Sequence, residues 1–97
     1  MTLLKKAAQQ NNLDALTDLG ICFWKGHGVP TDHKEAVRLF NLAAEQGHKL
    51  SQYNLGVCFE FGVGISLDVR EAMRWYKQSA DLGNKDAQRR IAKMVRK

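Results

Sequence analysis

Proline occurs once in these 97 residues, cysteine twice, and no apolar run exceeds a few residues. Each scarcity removes a class of protein. A helix that crosses a bilayer needs ~20 consecutive apolar residues, so no membrane association is expected. The opening Met1-Thr2-Leu3-Leu4-Lys5-Lys6 places charge where a secretory signal would carry its apolar stretch. A soluble protein of a reducing compartment, the cytoplasm, is therefore expected. Cys22 and Cys58 form no CxxC pair and have no companions at zinc-ligand spacing. A chain this short is one domain at most, and such a domain buries only about 60–65% of the surface its unfolded chain exposes. That core is too thin to surround a deep catalytic pocket.

Acidic residues are scarce at one end only. Residues 1–48 hold five Lys/Arg and five Asp/Glu, whereas residues 49–97 hold ten and five. The last nine residues carry Arg89, Arg90, Lys93, Arg96 and Lys97 without an acid, so the whole formal charge of +5 can be assigned to one terminal segment.

What the chain does have is an internal repeat. A shift of 36 superposes Leu19 on Leu55, Gly20 on Gly56, Cys22 on Cys58, Phe23 on Phe59, Gly26 on Gly62 and Gly28 on Gly64. The match continues with Asp32/Asp68, Glu35/Glu71, Ala36/Ala72, Arg38/Arg74, Ala44/Ala80 and Gly47/Gly83, twelve identities in 36 positions. Ordinary residue frequencies would give about two or three. The frame also aligns Leu4 with Phe40 and Tyr76, and Ala15 with Ser51 and Ala87. The expected organisation is one repeat domain: a half-repeat helix at 1–12, complete repeats at 13–48 and 49–84, and a terminal capping helix at 85–97.

Each repeat reads as two helices. Leu19, Gly20 and Phe23, and likewise Leu55, Gly56 and Phe59, fall on one face of a first helix at roughly 13–25 and 49–61. A glycine inside a helix costs ~1 kcal/mol against alanine, so Gly20 and Gly56 predict a close approach by a neighbouring helix. Gly26 and Gly62 predict left-handed stops, followed by tight links through Gly28 and Gly64. Asp32-His33-Lys34-Glu35 and Asp68-Val69-Arg70-Glu71 have the spacing of capping boxes. They open second helices at roughly 33–46 and 69–82, which Gly47 and Gly83 end. The second helices turn Ala36, Phe40 and Ala44, and Ala72, Tyr76 and Ala80, inward. One such pair cannot bury both its faces, and stacking does so. The expected fold is all-α, a superhelix of helical hairpins.

The segments Leu19-Gly-Ile-Cys-Phe-Trp-Lys-Gly-His-Gly-Val29 and Leu55-Gly-Val-Cys-Phe-Glu-Phe-Gly-Val-Gly-Ile65 resemble the LGxx(Y/F)xxGxGV signature of the Sel1-like repeat family, relatives of tetratricopeptide repeats. Asp32 to Gly47, and above all Met73 to Ala80, resemble the DxxKAxxWxxKAAxQG stretch that follows, with Glu35 where lysine is commoner. The resemblance covers nearly the whole chain. It implies a right-handed superhelix of antiparallel helix pairs that serves as a scaffold or adaptor. The second cysteine per repeat of the disulfide-stapled secreted members is missing. Equivalent positions in stacked repeats lie ~9–10 Å apart, too far for the ~7 Å limit of a disulfide, so Cys22 and Cys58 are expected as free buried thiols.

In a solenoid of this type the first helices line the concave side. Opposite their inward face lie Thr17, Ile21, Trp24 and Lys25 in the first copy, and Tyr53, Val57, Glu60 and Phe61 in the second. The terminal helix adds Arg89, Lys93, Arg96 and Lys97. The expected function is non-catalytic: a protein or peptide bound on this surface, with apolar anchors at one end and an acidic segment at the other. Aromatics and arginine often dominate such interfaces, and basic residues steer the approach. Two alternatives stand beside this reading. The aromatics can pack between helices, or the chain can associate with itself or with further repeats, because Met1, Leu3, Leu4 and Ala7 have no first helix to cover them.

Other chemistry lacks its pattern. Gly26-His27-Gly28 and Gly62-Val63-Gly64 have neither the third glycine nor the Gly-Lys-Ser/Thr ending of a phosphate loop. His27, His33 and His48 are not at metal-ligand spacing. No nucleophile–base pair or carboxylate dyad can be named, so no catalytic residue, metal or cofactor is expected. The basic terminal helix complements its own dipole, and nucleic acid is not the expected partner.

Overall fold

The computed structural model describes the backbone of residues 10–95 and the side chains of residues 12–95. Among them are five helices and no strand: α1 (Gln10–Lys25), α2 (His33–Glu45), α3 (Lys49–Phe61), α4 (Val69–Asp81) and α5 (Lys85–Val95). Each helix packs chiefly on the next in chain order, which is the pattern of a stack of hairpins. Helix α1 includes Gln10 to Asn12, which the expected organisation gave to the half-repeat helix. Asn11-Asn12 stands where Gly47-His48 and Gly83-Asn84 stand in the later copies, without their glycine. The expected half-repeat helix otherwise falls at residues 1–9, outside the described residues.

Asp32 and Asp68 cap α2 and α4, each accepting the backbone N–H three residues on at 3.1 Å. The other half of the expected capping box does not form. The N–H of Asp32 donates instead to the carbonyl of Phe23, and that of Asp68 to Phe59, both at 2.8 Å. These bonds tie the start of each second helix to the end of its first. Glu35 and Glu71, released from the cap, pair with Arg38 and Arg74 one turn on, at 2.6 and 2.7 Å. The expected stops are present. Gly26 and Gly62 take φ of +74° and +66°, and the N–H of Gly26 closes on Cys22 as that of Gly62 does on Cys58.

Phe40 and Tyr76 are almost fully buried and lie directly on the mid-helix glycines. A Cβ at Gly20 would sit 2.7 Å from the Phe40 ring, and one at Gly56 would sit 2.7 Å from two Tyr76 ring carbons. The close approach expected from the sequence is thus made within each hairpin. Between hairpins, Gly64 packs on the His33 backbone at the start of α2. The core joins Ala36, Val37, Phe40 and Ala44 of α2 to Leu55 and Cys58 of α3 and Trp75 of α4. One inward residue departs from expectation: Leu19 is 44% exposed, whereas its counterpart Leu55 is 1% exposed. Leu55 is covered by α2, and the residues that the repeat frame would place over Leu19 are 1–8, outside the described residues.

Candidate binding groove

The first helices α1 and α3 diverge enough to leave a cleft of ≈ 280 Å³ between them, floored by Phe40. Its walls are Ile21, Trp24 and Lys25 of α1 and Tyr53, Asn54 and Val57 of α3. The repeat sets this geometry, because Ile21 and Val57 are equivalent positions one repeat apart. Trp24 leans on Phe40, with ring centroids 6.2 Å apart, and on His33 at 5.2 Å. Tyr53 leans on Tyr76 at 5.6 Å. The rim aromatics therefore do both things the sequence allowed: they pack on second-helix rings and also line an open surface. A second depression, on the α5 side of Tyr53, is lined by Asp86, Arg89, Arg90 and Lys93. Tyr53 belongs to both, so an apolar cleft and a basic one meet at a single ring. Of the basic side chains, Arg89 is paired with Asp86 at 2.7 Å on an exposed surface. Arg96 and Lys97 lie outside the described residues.

Three expected groove residues are placed elsewhere. Thr17 is 1% exposed. Its hydroxyl donates to the Leu13 carbonyl at 2.9 Å and contacts His48 Nδ1 at 3.1 Å and the Ser51 hydroxyl. The same repeat position in α3 is Tyr53, whose longer side chain reaches the groove while threonine stays in the seam beneath. Glu60 is occupied by a neighbour: Arg90 binds both its carboxylate oxygens, one at 2.9 Å, and the Tyr76 hydroxyl donates to it at 2.7 Å. The Arg90 guanidinium, reinforced by the Tyr76 hydroxyl against the opposing effect of burial, holds the Glu60 carboxyl below its ordinary range. Burial, then the adjacent Glu60 carboxylate, pushes the Tyr76 hydroxyl well above its ordinary value. One carboxylate thus ties α3, α4 and α5 together. Phe61 is 57% exposed but lines neither cleft, and the Arg90 guanidinium carbon lies 5.4 Å from its ring centroid.

Two features escaped the sequence reading. Phe40 and Asn54 line the cleft; Asn54 follows Tyr53 and sits one turn before Val57, a spacing that could have placed it there. The other is a chain of contacts that runs inward from the exposed Asp14 through the buried His48 to Ser51 and Thr17. His48 Nδ1 accepts the Ser51 backbone N–H at 3.3 Å, so that nitrogen is unprotonated and Nε2 donates to Asp14 at 2.5 Å. An acid–histidine–hydroxyl order invites a catalytic reading, but Ser51 is 0% and Thr17 1% exposed, so neither hydroxyl meets a substrate. The imidazole is the N-cap of α3, as the Asn84 side chain is for α5. Cys22 and Cys58 are both free; Cys58 is buried as expected, and burial pushes its thiol up to about 12, whereas Cys22 is partly exposed, against expectation. Among the described residues no cluster of three or more His, Cys, Asp or Glu side chains is placed to hold a metal ion. No described helix is long and apolar enough to cross a membrane.

The Sel1 repeat family model matches residues 1–12, 13–48 and 49–84. Two solved structures are similar in sequence as well as shape. A Sel1 repeat protein from Oxalobacter formigenes is 35% identical with a TM-score of 0.82, over 84% of this chain and 34% of that one. A protective antigen of uropathogenic Escherichia coli with an SLR fold is 34% identical with a TM-score of 0.79, over 88% of this chain and 18% of that one. The cysteine-rich protein B of Helicobacter pylori, 24% identical with a TM-score of 0.76 over 87% of this chain and 63% of that one, shares the fold. The chain therefore spans about a third of the length of the first of these proteins and less than a fifth of the second. No curated protein matches.

Proposed function

The chain belongs to the Sel1 repeat family, whose members are generally protein–protein interaction modules, and we propose that it is a non-catalytic adaptor that binds a peptide segment across α1, α3 and α5. The observation that carries this reading is the junction at Tyr53 of an apolar cleft with a basic one. An aliphatic or aromatic side chain of the partner enters between Ile21, Trp24 and Val57. Full burial of such a side chain stabilises the complex by about 1.5–3 kcal/mol. The Asn54 amide, a donor and an acceptor on the cleft wall, suits the backbone of the bound segment. An acidic stretch next to the anchor lies along Arg89 and Lys93, which raise the association rate more than they deepen the affinity. Two free thiols support a reducing compartment such as the cytoplasm.

The test is fluorescence polarisation with synthetic peptides that carry one Leu or Phe followed by three glutamates. Binding should weaken with Val57→Glu, which puts a like charge in the anchor site, and with Lys93→Glu. The Lys93→Glu loss should shrink as salt is raised, because exposed charges are screened. Equal binding by the folded variants and the parent protein would refute the groove.

A further inference from the structure

Ile21, Val57 and Lys93 are one repeat position in three successive first helices. The apolar cleft lies between the first two, and the basic depression lies on the α5 side of Tyr53. Their centres are thus one helix-packing step apart, ~9–10 Å. That step sets how far an acid of the partner stands from its apolar anchor. In a polyproline II chain, residues i and i+3 point the same way and lie ~9 Å apart. A β-strand falls short or overshoots, because its same-face residues are ~7 Å or ~13 Å apart. A helix covers ~10 Å in seven residues, but its backbone groups are spent on each other.

The cleft wall suits an extended backbone. The Asn54 amide has no side-chain hydrogen bond among the described residues, and a polyproline II chain makes no internal hydrogen bonds, so its carbonyls are free to meet that amide. The partly buried rings of Trp24 and Tyr53 stand on opposite walls, and aromatic-lined grooves are the surfaces on which proline-rich segments dock. The basic depression takes one acid. Arg89 already holds Asp86 at 2.7 Å and Arg90 holds Glu60, whereas Lys93 has no ion pair among the described residues. Asp86 lines the same depression, so a second carboxylate there meets a like charge.

We propose, on the adaptor reading, that the bound segment is a polyproline II stretch in which one acid stands three residues from one apolar anchor. The anchor enters between Ile21, Trp24 and Val57, the two intervening residues cross the Tyr53 ring, and the carboxylate meets Lys93. Proline suits both intervening positions, because it fixes the required φ in advance. The acidic stretch of the partner thereby narrows to a single position, and its spacing from the anchor becomes the source of specificity.

Fluorescence polarisation at low salt tests this with labelled peptides that place one, two or three prolines between a leucine and a glutamate, each made in both chain orders. The two-proline peptide should bind tightest, and its neighbours about threefold to fivefold more weakly, the effect of losing one exposed ion pair. Alanines in place of the two prolines should cost about threefold, because the chain is no longer set in advance. A second glutamate after the first should add nothing. With Lys93→Glu the preference should reverse, so that a peptide ending in lysine at the same spacing binds better than the one ending in glutamate. Circular dichroism confirms that the variant is folded. Equal binding at every spacing overturns the proposal and leaves the adaptor reading standing. So does an optimum at a seven-residue separation in a helix-forming alanine peptide. Failure of all these peptides, together with those that carry three glutamates, overturns both.

Discussion

Alanine at Gly56 sets two effects of similar size against each other. Removing a mid-helix glycine stabilises α3 by about 1 kcal/mol. The new methyl would lie 2.7 Å from two ring carbons of Tyr76 and 3.2 Å from a third, where carbon atoms normally rest about 3.5–4.0 Å apart. The ring must withdraw by about 1 Å to restore ordinary contact. It is badly placed to do so: Tyr76 is 0% exposed, the Tyr53 ring leans on it, and its hydroxyl is held by Glu60 at 2.7 Å. Overpacking of a filled core costs about 1–3 kcal/mol, and stretching a hydrogen bond to a charged group forfeits part of another ~1.5–3 kcal/mol. The net expectation for Gly56→Ala is a loss of about 1–3 kcal/mol, at ~4–8 °C in Tm for each kcal/mol in a domain of this size. Urea unfolding followed at 222 nm reads it as a lowered midpoint at unchanged m-value. Gly20→Ala should cost less, because Phe40 has no hydroxyl to anchor its ring. In a Tyr76→Phe background the cost of Gly56→Ala should also fall, and the double-mutant cycle gives the coupling. If Gly56→Ala matches or exceeds the parent in stability, the glycine is not there for the ring, and this account of the hairpin fails.

His48→Ala should destabilise by about 1 kcal/mol or more through loss of the α3 cap, and His48→Asn should recover much of it, since asparagine caps α5 at the equivalent position; urea midpoints decide. Glu60 has its folded carboxyl held low, so its stabilisation is complete above the unfolded value of about 4.3 and is lost as pH falls through the carboxylate range. The stability difference between parent and Glu60→Gln should therefore shrink on acidification, and a difference that grows would count against the Arg90 tether. In native protein a thiol-reactive dye should label the partly exposed Cys22 well before the sealed Cys58, with both reacting in denaturant; equal native rates would show that α3 is not packed as described.

The fold was legible because each of its determinants is local or recurs. Helical spacing, glycine stops and Asp32 and Asp68 are read within a few residues, and the 36-residue shift confirms them against each other. Ile21, Trp24, Lys25, Tyr53 and Val57 were legible for the same reason: helical periodicity says which face a residue occupies. What periodicity cannot say is what stands opposite. Glu60 shares a register with Trp24 and has the same address, yet Arg90 of the next first helix engages it. Thr17 shares a register with Tyr53, yet its reach ends in the seam beside His48. Glu35 and Glu71 had the spacing to cap a helix and found an arginine closer than the N–H, which the preceding helix end had already taken. Sequence alone thus determined the repeat, its helices and the faces they show. Side-chain length and the identity of the neighbour across each gap, which exist only once the hairpins are stacked, decided which of those residues remain free to meet a partner.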